Sequence, residues 1–387
     1  MKRFAVIPSL FVLVWLLASC SATRRLSRIE IPTTPSVAGL HFLGEYDLPH
    51  RLSFAGTTVG GLSGIDYDSA RGVYYLISDD RSAINPARFY TARISVSNAG
   101  IDSVVLTGVH FLLRRDGSPY PNAKTDPYHT PDPEAIRYDP RRRELVWSSE
   151  GERIVRPGQT VLEDPSIIRV DLQGHYRDSF PLPPGMHMQA GEAGPRQNGV
   201  FEGMTFTDGY RDLLVSVEEP RYEDGPRAGT GDSTALIRIL RYEVSTARQV
   251  AEYAYRTDPV AYPAHPPGAY KINGVPDILW LGQDRLLVVE RSFSTGVPGC
   301  VIRVYLASLA GASDIREITS LQGRDDVKPL AKRLLLNMDS LGRYVDNVEG
   351  ACFGPRLPNG HRTLVFVVDD NFSPLEKNQF LLFEVIP

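Results

Sequence analysis

A strand–turn–strand unit recurs five times along this chain, at residues 62–80, 133–150, 201–219, 276–290 and 348–370. In each unit a small or acidic residue precedes a short apolar run, a turn follows, and a second apolar run ends in acid. The leading residues are Ser63, Glu134, Glu202, Asp277 and Glu349, spaced 71, 68, 75 and 72 residues apart. A period near seventy overrides the two or three domains that 387 residues would otherwise suggest. Each of the first four repeats then offers two more runs rich in Val, Ile, Tyr and Phe, such as RFYTARISV and SVVLTGVHFLL in the first and LIRILRYEV and RQVAEYAYR in the third. No long 3.6-residue periodicity is present beyond the N-terminal segment. The expected fold class is therefore all-β: a β-propeller of four-stranded blades.

The fifth repeat supplies only three strands before the chain ends, the last being QFLLFEVI, whereas LHFLGEYDL (40–48) precedes the first repeat. Pairing these terminal strands would close the ring and remove an open edge. This gives five blades, or six if two short repeats have been merged.

The N-terminus reads as an export segment. Lys2 and Arg3 precede an apolar stretch from Phe4 to Leu17, too short to span a bilayer comfortably. Leu17-Ala18-Ser19-Cys20 then resembles the lipobox of bacterial lipoproteins, which implies a diacylated Cys20. The expected organisation is a lipoprotein signal peptide over 1–19, a lipidated tether over 20–38 and a propeller over 39–387. Ser21 after Cys20 is not the Asp that retains lipoproteins at the inner membrane, which favours the outer membrane. Cys300 and Cys352 are left either to pair in an oxidising compartment or to stay free. With 42 Lys and Arg against 46 Asp and Glu, no basic footprint for nucleic acid exists. A monomer is expected.

Propeller geometry sets the start of each first strand beside the end of the second. Both places are acidic here. The ends carry Asp79 and Asp80, Glu150, Glu218 and Glu219, Glu290, and Asp369 and Asp370. These carboxylates should gather at one mouth of the channel and repel one another. Three reliefs are open: a hard cation such as Ca²⁺, pairing with Arg, or protonation. Arg81, Arg153, Arg221 and Arg291 each follow an acidic strand end. One reading is a ring of ion pairs that fixes blade register. Another is a cation site flanked by arginines and suited to a small anionic or phosphate-ester substrate. A third is a non-catalytic face for a glycan, peptide or protein. In the cation reading Asp79, Asp80, Glu134, Glu202, Glu349 and Asp370 hold Ca²⁺, while Arg81, Arg291, Lys271, Glu218 and Glu290 face the substrate. The long loops 113–133, 184–200, 220–234 and 256–275 open on the same face and add His129, Asp132, His187 and Asn273 as candidates. The sequence has no G-x-S-x-G, H-E-x-x-H, P-loop or G-x-G-x-x-G motif.

Together, Gly61-Leu62-Ser63-Gly64-Ile65-Asp66, Ile77-Ser78-Asp79-Asp80-Arg81, Asp132-Pro133-Glu134-Ala135-Ile136, Asn198-Gly199-Val200-Phe201-Glu202-Gly203-Met204 and Asn347-Val348-Glu349-Gly350 resemble the bacterial phytase-like family, also called esterase-like activity of phytase. The likeness covers nearly all of residues 40–387. It implies hydrolysis of phosphate or carboxyl esters, and the related β-propeller phytases imply bound Ca²⁺.

Overall fold

The computed structural model describes Met1 and residues 37–387. The export segment, Cys20 and nearly all of the tether lie outside the described residues. Among those described there is no α-helix, only strands and short 3-10 turns.

Five four-stranded antiparallel sheets form the blades. Blade one is Leu62–Asp68, Val73–Ser78, Arg88–Ser97 and Gly100–Phe111. Blade two is Pro133–Asp139, Glu144–Ser149, Ser166–Asp171 and Tyr176–Ser179. Blade three is Phe201–Phe206, Asp212–Val217, Ala235–Glu243 and Arg248–Thr257, and blade four is Lys271–Gly282, Arg285–Ser294, Val301–Ser308 and Ala331–Asn337. Blade five takes Asn347–Arg356, Arg362–Asp369 and Asn378–Ile386 from the C-terminus and Gly39–Leu48 from the N-terminus. The expected closure is thus present: Leu40 pairs with Val385, and Phe42 with Phe383, whose rings meet edge-on at 5.3 Å.

The middle strands are apolar on both faces because each is sandwiched between neighbouring blades. Alternation then divides one strand between two cores. Val365 and Val367 pack with Leu76 and Tyr90 of blade one, while Phe366 and Val368 pack with Val289 and Ile302 of blade four. In the same way Val146 faces blade three, whereas Leu145 and Trp147 face blade one. Each buried aliphatic side chain contributes about 1.5–3 kcal/mol, and a one-residue slip would swap both cores at once, so register is strongly specified.

At the axis one ion pair ties all five first strands. Arg137 of blade two donates from Nη2 to both Asp277 oxygens, at 2.6 and 2.7 Å, from Nη1 to Ile65 O at 2.9 Å, and from Nε to Met204 O. Asp277 Oδ2 accepts from Ala351 N at 2.7 Å. Burial pushes the Asp277 carboxyl up to about 6 even with Arg137 opposing it.

Two features were not expected. A hairpin, Glu152–Arg156 with Gln159–Glu163, is inserted between the second and third strands of blade two. In blade four the connection 309–330 joins strands three and four, a place where turns are otherwise short. It lies along the outer strand of blade three, with Ile315 N bonded to Glu252 O and Leu330 N to Ala254 O.

Candidate functional site

Each first strand is bulged near its start. Pairing with the second strand skips between Leu62 and Gly64, Pro133 and Ile136, Phe201 and Met204, Gly274 and Asp277, and Val348 and Gly350. A bulge re-aims the extra side chain. The residues inside are Ser63, Glu134 with Ala135, Glu202 with Gly203, Val275 with Pro276, and Glu349. Blades two, three and five therefore each turn a glutamate to the mouth. Blade one offers Ser63, whose hydroxyl donates to Glu134 O at 2.7 Å. Blade four offers Val275.

The second strands complete the ring with Asp79, Glu150, Glu218 and Asp369. Blade four instead places Arg291, which pairs in register with Gly274. Asp79, Glu134, Glu150, Glu202, Glu218, Arg291 and Glu349 of this ring, with Asp132, line a cavity of about 430 Å³. Three sets of carboxylate oxygens lie mutually within 4.8 Å: Asp79, Glu349 and Asp369; Asp132, Glu134 and Glu150; and Glu150, Glu202 and Glu218.

Two arginines answer this charge. Arg291 pairs with Glu218 at 2.8 Å and with Glu349, and also donates to Asn347. Arg81 pairs with Asp132 at 3.2 Å and Glu152 at 2.6 Å. Of the remaining acids, Glu150 accepts from Val200 N, and Asp369 from Asn371 N and Asn347 Nδ2, but none forms a salt bridge among the described residues. Glu134 and Glu202 are only 8% and 7% exposed, and no hydrogen bond or ion pair reaches their carboxylates among the described residues. Glu349 Oε2 is also buried without a partner. Burial first, and then neighbouring carboxylates, hold Asp79, Glu134, Glu150 and Glu202 well above the usual carboxylate range. Asp369 is raised well above it for the same two reasons. Burial pushes Asp132 up to about 7, with Arg81 pulling the other way. A buried, unpaired set of oxygen donors is chemically suited to a hard cation.

The sequence pattern of the phytase-like family, described as esterase-like activity of phytase, matches residues 57–372, a stretch that holds every carboxylate of the ring. The chain belongs to the phytase-like family. No curated protein matches this phytase-like chain. Among solved structures it is similar to the endo-arabinase of Bacteroides thetaiotaomicron, at 13% identity over 85% of this chain and 95% of that one, TM-score 0.45. It is similar to an α-L-arabinofuranosidase from Lactobacillus brevis at 10% identity, over 87% and 92%, TM-score 0.45. A periplasmic gluconolactonase from Pseudomonas aeruginosa is 12% identical over 92% and 97%, TM-score 0.37. Likeness at this level carries neither a substrate nor a residue role across.

Of the residues expected at the mouth of the phytase-like propeller, the structure brings together Asp79, Glu134, Glu202, Glu349, Arg81, Arg291 and Glu218. Four others lie elsewhere, and alternation along the strand accounts for most of them. Asp80 points away from Asp79 and folds the following loop, accepting from Ala83 N, Ile84 N, Asn85 N and Arg88 Nη1. Asp370 turns opposite to Asp369 and accepts from Gly61 N at 2.9 Å. Glu290 is enclosed between blades three and four by Tyr255, Asn273 and Lys332, and its neighbour Arg291 reaches the mouth. Lys271 does not line the cavity, although Tyr270 and Ile272 on either side do.

Asp277 sits deeper, on Arg137. Of the loop candidates only Asp132 reaches the cavity. His129 and His187 make exposed pairs with Asp126 and Asp164, and Asn273 bonds Asp258 O and Glu290. Arg153 and Arg221 are spent on loop carbonyls and, for Arg221, on Asp224. Asn198, Asn347 and Asn371 also line the cavity without having been singled out, although the first two sit inside the N-x-x-x-E-G and N-V-E-G stretches that carried the family resemblance. Cys300 lines the cavity and Cys352 is buried between blades five and one, both as free thiols.

Proposed function

We propose that this phytase-like protein is a cation-dependent hydrolase of phosphate esters, held at the cell envelope by a lipidated Cys20. The observation that carries the reading is the partnerless carboxylates of the buried, cavity-lining residues Glu134 and Glu202, together with the buried, partnerless Oε2 of Glu349. Uncompensated buried charge is costly, so the fold tolerates it best where positive charge enters. The three oxygen sets around Glu349, Glu134 and Glu202 would hold Ca²⁺. When bound, the cation supplies charge for an anionic ester and lowers the pKa of water.

The chain's own groups supply the rest. Arg291, fixed by Glu218 and Glu349, lines the cavity and sets a positive charge beside the place of a phosphoryl group. Arg81 is fixed on Asp132 and Glu152 at the opposite wall.

Purified protein is assayed on a panel of phosphate esters with Ca²⁺ and with chelator, alongside elemental analysis. Turnover that requires the cation is expected; absence of cation-dependent turnover on every ester removes the hydrolase reading. For the anchor, Cys20→Ala is expected to move the protein from the membrane to the soluble fraction. Retention at the membrane would contradict lipidation at this residue.

A further inference from the structure

The opposite end of the channel opens into a second cavity, of about 730 Å³, which shares no lining residue with the carboxylate ring. Arg137 contributes to its floor, already committed to Asp277. Four blades supply aromatic walls: Tyr67, Phe206 with Tyr210, Trp280 and Phe353. The volume falls within the roughly 300–1,000 Å³ usual for small-ligand sites, which pair apolar walls with a few polar groups.

The polar groups are unusual in sign and placement. Arg356 and Arg362 line the rim and are direct cross-strand partners. Like charges directly opposite are destabilising. No salt bridge relieves them among the described residues; Arg356 donates only to Gly360 O at 2.7 Å, and Arg362 lies over the Phe353 ring at 4.6 Å. Burial first, and then the nearby Arg356, pull Arg362 below its ordinary range, with Asp208 the opposing charge. Tyr210 has φ +54°, a left-handed conformation that bulky residues rarely adopt, and it holds its ring 5.3 Å from Phe206 at the cavity wall. The Trp280 Nε1 donor is buried without an acceptor. Two exposed guanidinium groups without a salt-bridge partner thus stand beside flat apolar walls, while the carboxylates of the lining are Asp208, which opposes Arg362, and Asp66, which accepts from Tyr138 N.

We infer that this basal cavity is a second binding site, independent of the carboxylate ring, for a small carboxylate whose ring offers an apolar face to aromatic side chains. The ring lies against Tyr210, Phe206 and Trp280, and the anionic group bridges Arg356 and Arg362, whose planar forks match a carboxylate. Aromatic acids and sugar acids share this chemistry.

The full chain is titrated calorimetrically with 2-naphthoate and with galacturonate, each against its neutral counterpart, 2-naphthylmethanol or galactose. Saturable binding of at least one acid is expected, tenfold or more tighter than its neutral counterpart, and the acid that binds identifies the source. Arg356→Gln/Arg362→Gln should lose at least tenfold in affinity while keeping a cooperative melt and the β-sheet circular dichroism of the parent. Arg356→Gln alone is the second variant should the double one fold poorly. Glu202→Gln, in the other mouth, should leave this binding unchanged. Three results would overturn the inference: no saturable binding of either acid, equal binding of the neutral counterparts, or a loss caused by Glu202→Gln and not by the arginine variants.

Discussion

Glu202 and Glu218 stand in one oxygen set of the ring yet meet different fates. Glu218 is answered by Arg291 at 2.8 Å. Glu202 has no donor, and burial together with Glu150, Glu218 and Glu349 favours its protonated form. A neutral amide of the same shape should therefore act in opposite directions on the two states of the protein. With chelator at pH 8, Glu202→Gln is expected to stabilise the fold, since burial and the neighbouring carboxylates penalise the ionised side chain and the amide removes that penalty. In Ca²⁺ the same change should weaken cation affinity by about tenfold or more, because ligand charge sets affinity in oxygen sites. Thermal melts in both conditions and calorimetric Ca²⁺ titration read the two signs. A purely structural role would instead lower stability in both.

At the scale of the strand, the bulge decides what sequence reading can and cannot see. Alternating apolar runs and turn residues make the strand pairs, the blade count and the terminal closure legible, because both faces of each middle strand must be apolar. The acidic ends are legible too. Which of two adjacent acids faces the mouth is not: Asp79 against Asp80 and Asp369 against Asp370 differ only in pleat phase, and the phase depends on where pairing begins. The bulge adds a further residue of uncertainty on the first strand. That is why Asp277 aligns with Glu202 by spacing yet lies past the bulge, on Arg137, and why the mouth position of blade four belongs to Arg291 rather than Glu290. The glycines beside the acids carried a usable signal. A Cβ on Gly203 would come within 2.6 Å of Asp277 Cα, and one on Gly64 within 2.7 Å of Glu134 O, so adjacent first strands touch backbone to backbone at the ring. The hairpin 152–163 was also signalled, by Pro157-Gly158 between two short alternating runs.

For the whole molecule, closing the ring is what forces the acids together, and this links fold stability to pH and to cations. The carboxyls of the ring titrate near 4 when unfolded, but in the fold Asp132 is pushed up to about 7, and Asp79, Glu134, Glu150 and Glu202 lie well above their usual range. Outside the ring, burial also pushes Glu163 up to about 8 and Glu219 up to about 7. Because the folded state then binds more protons than the unfolded one, stability without cation must fall as pH rises from about 4 through 7 and beyond. A bound cation reverses the sign by favouring the ionised ring, and its contribution grows as protons leave. Denaturant unfolding at pH 5, 6.5 and 8 should show stability dropping with pH in chelator. The gap between Ca²⁺ and chelator should be small at pH 5 and largest at pH 8. A curve in chelator that is flat or rises over this range would mean that the ring is already neutralised within the protein, by Arg81, Arg291 and hydrogen bonds, and that its carboxylates serve blade register rather than a cation.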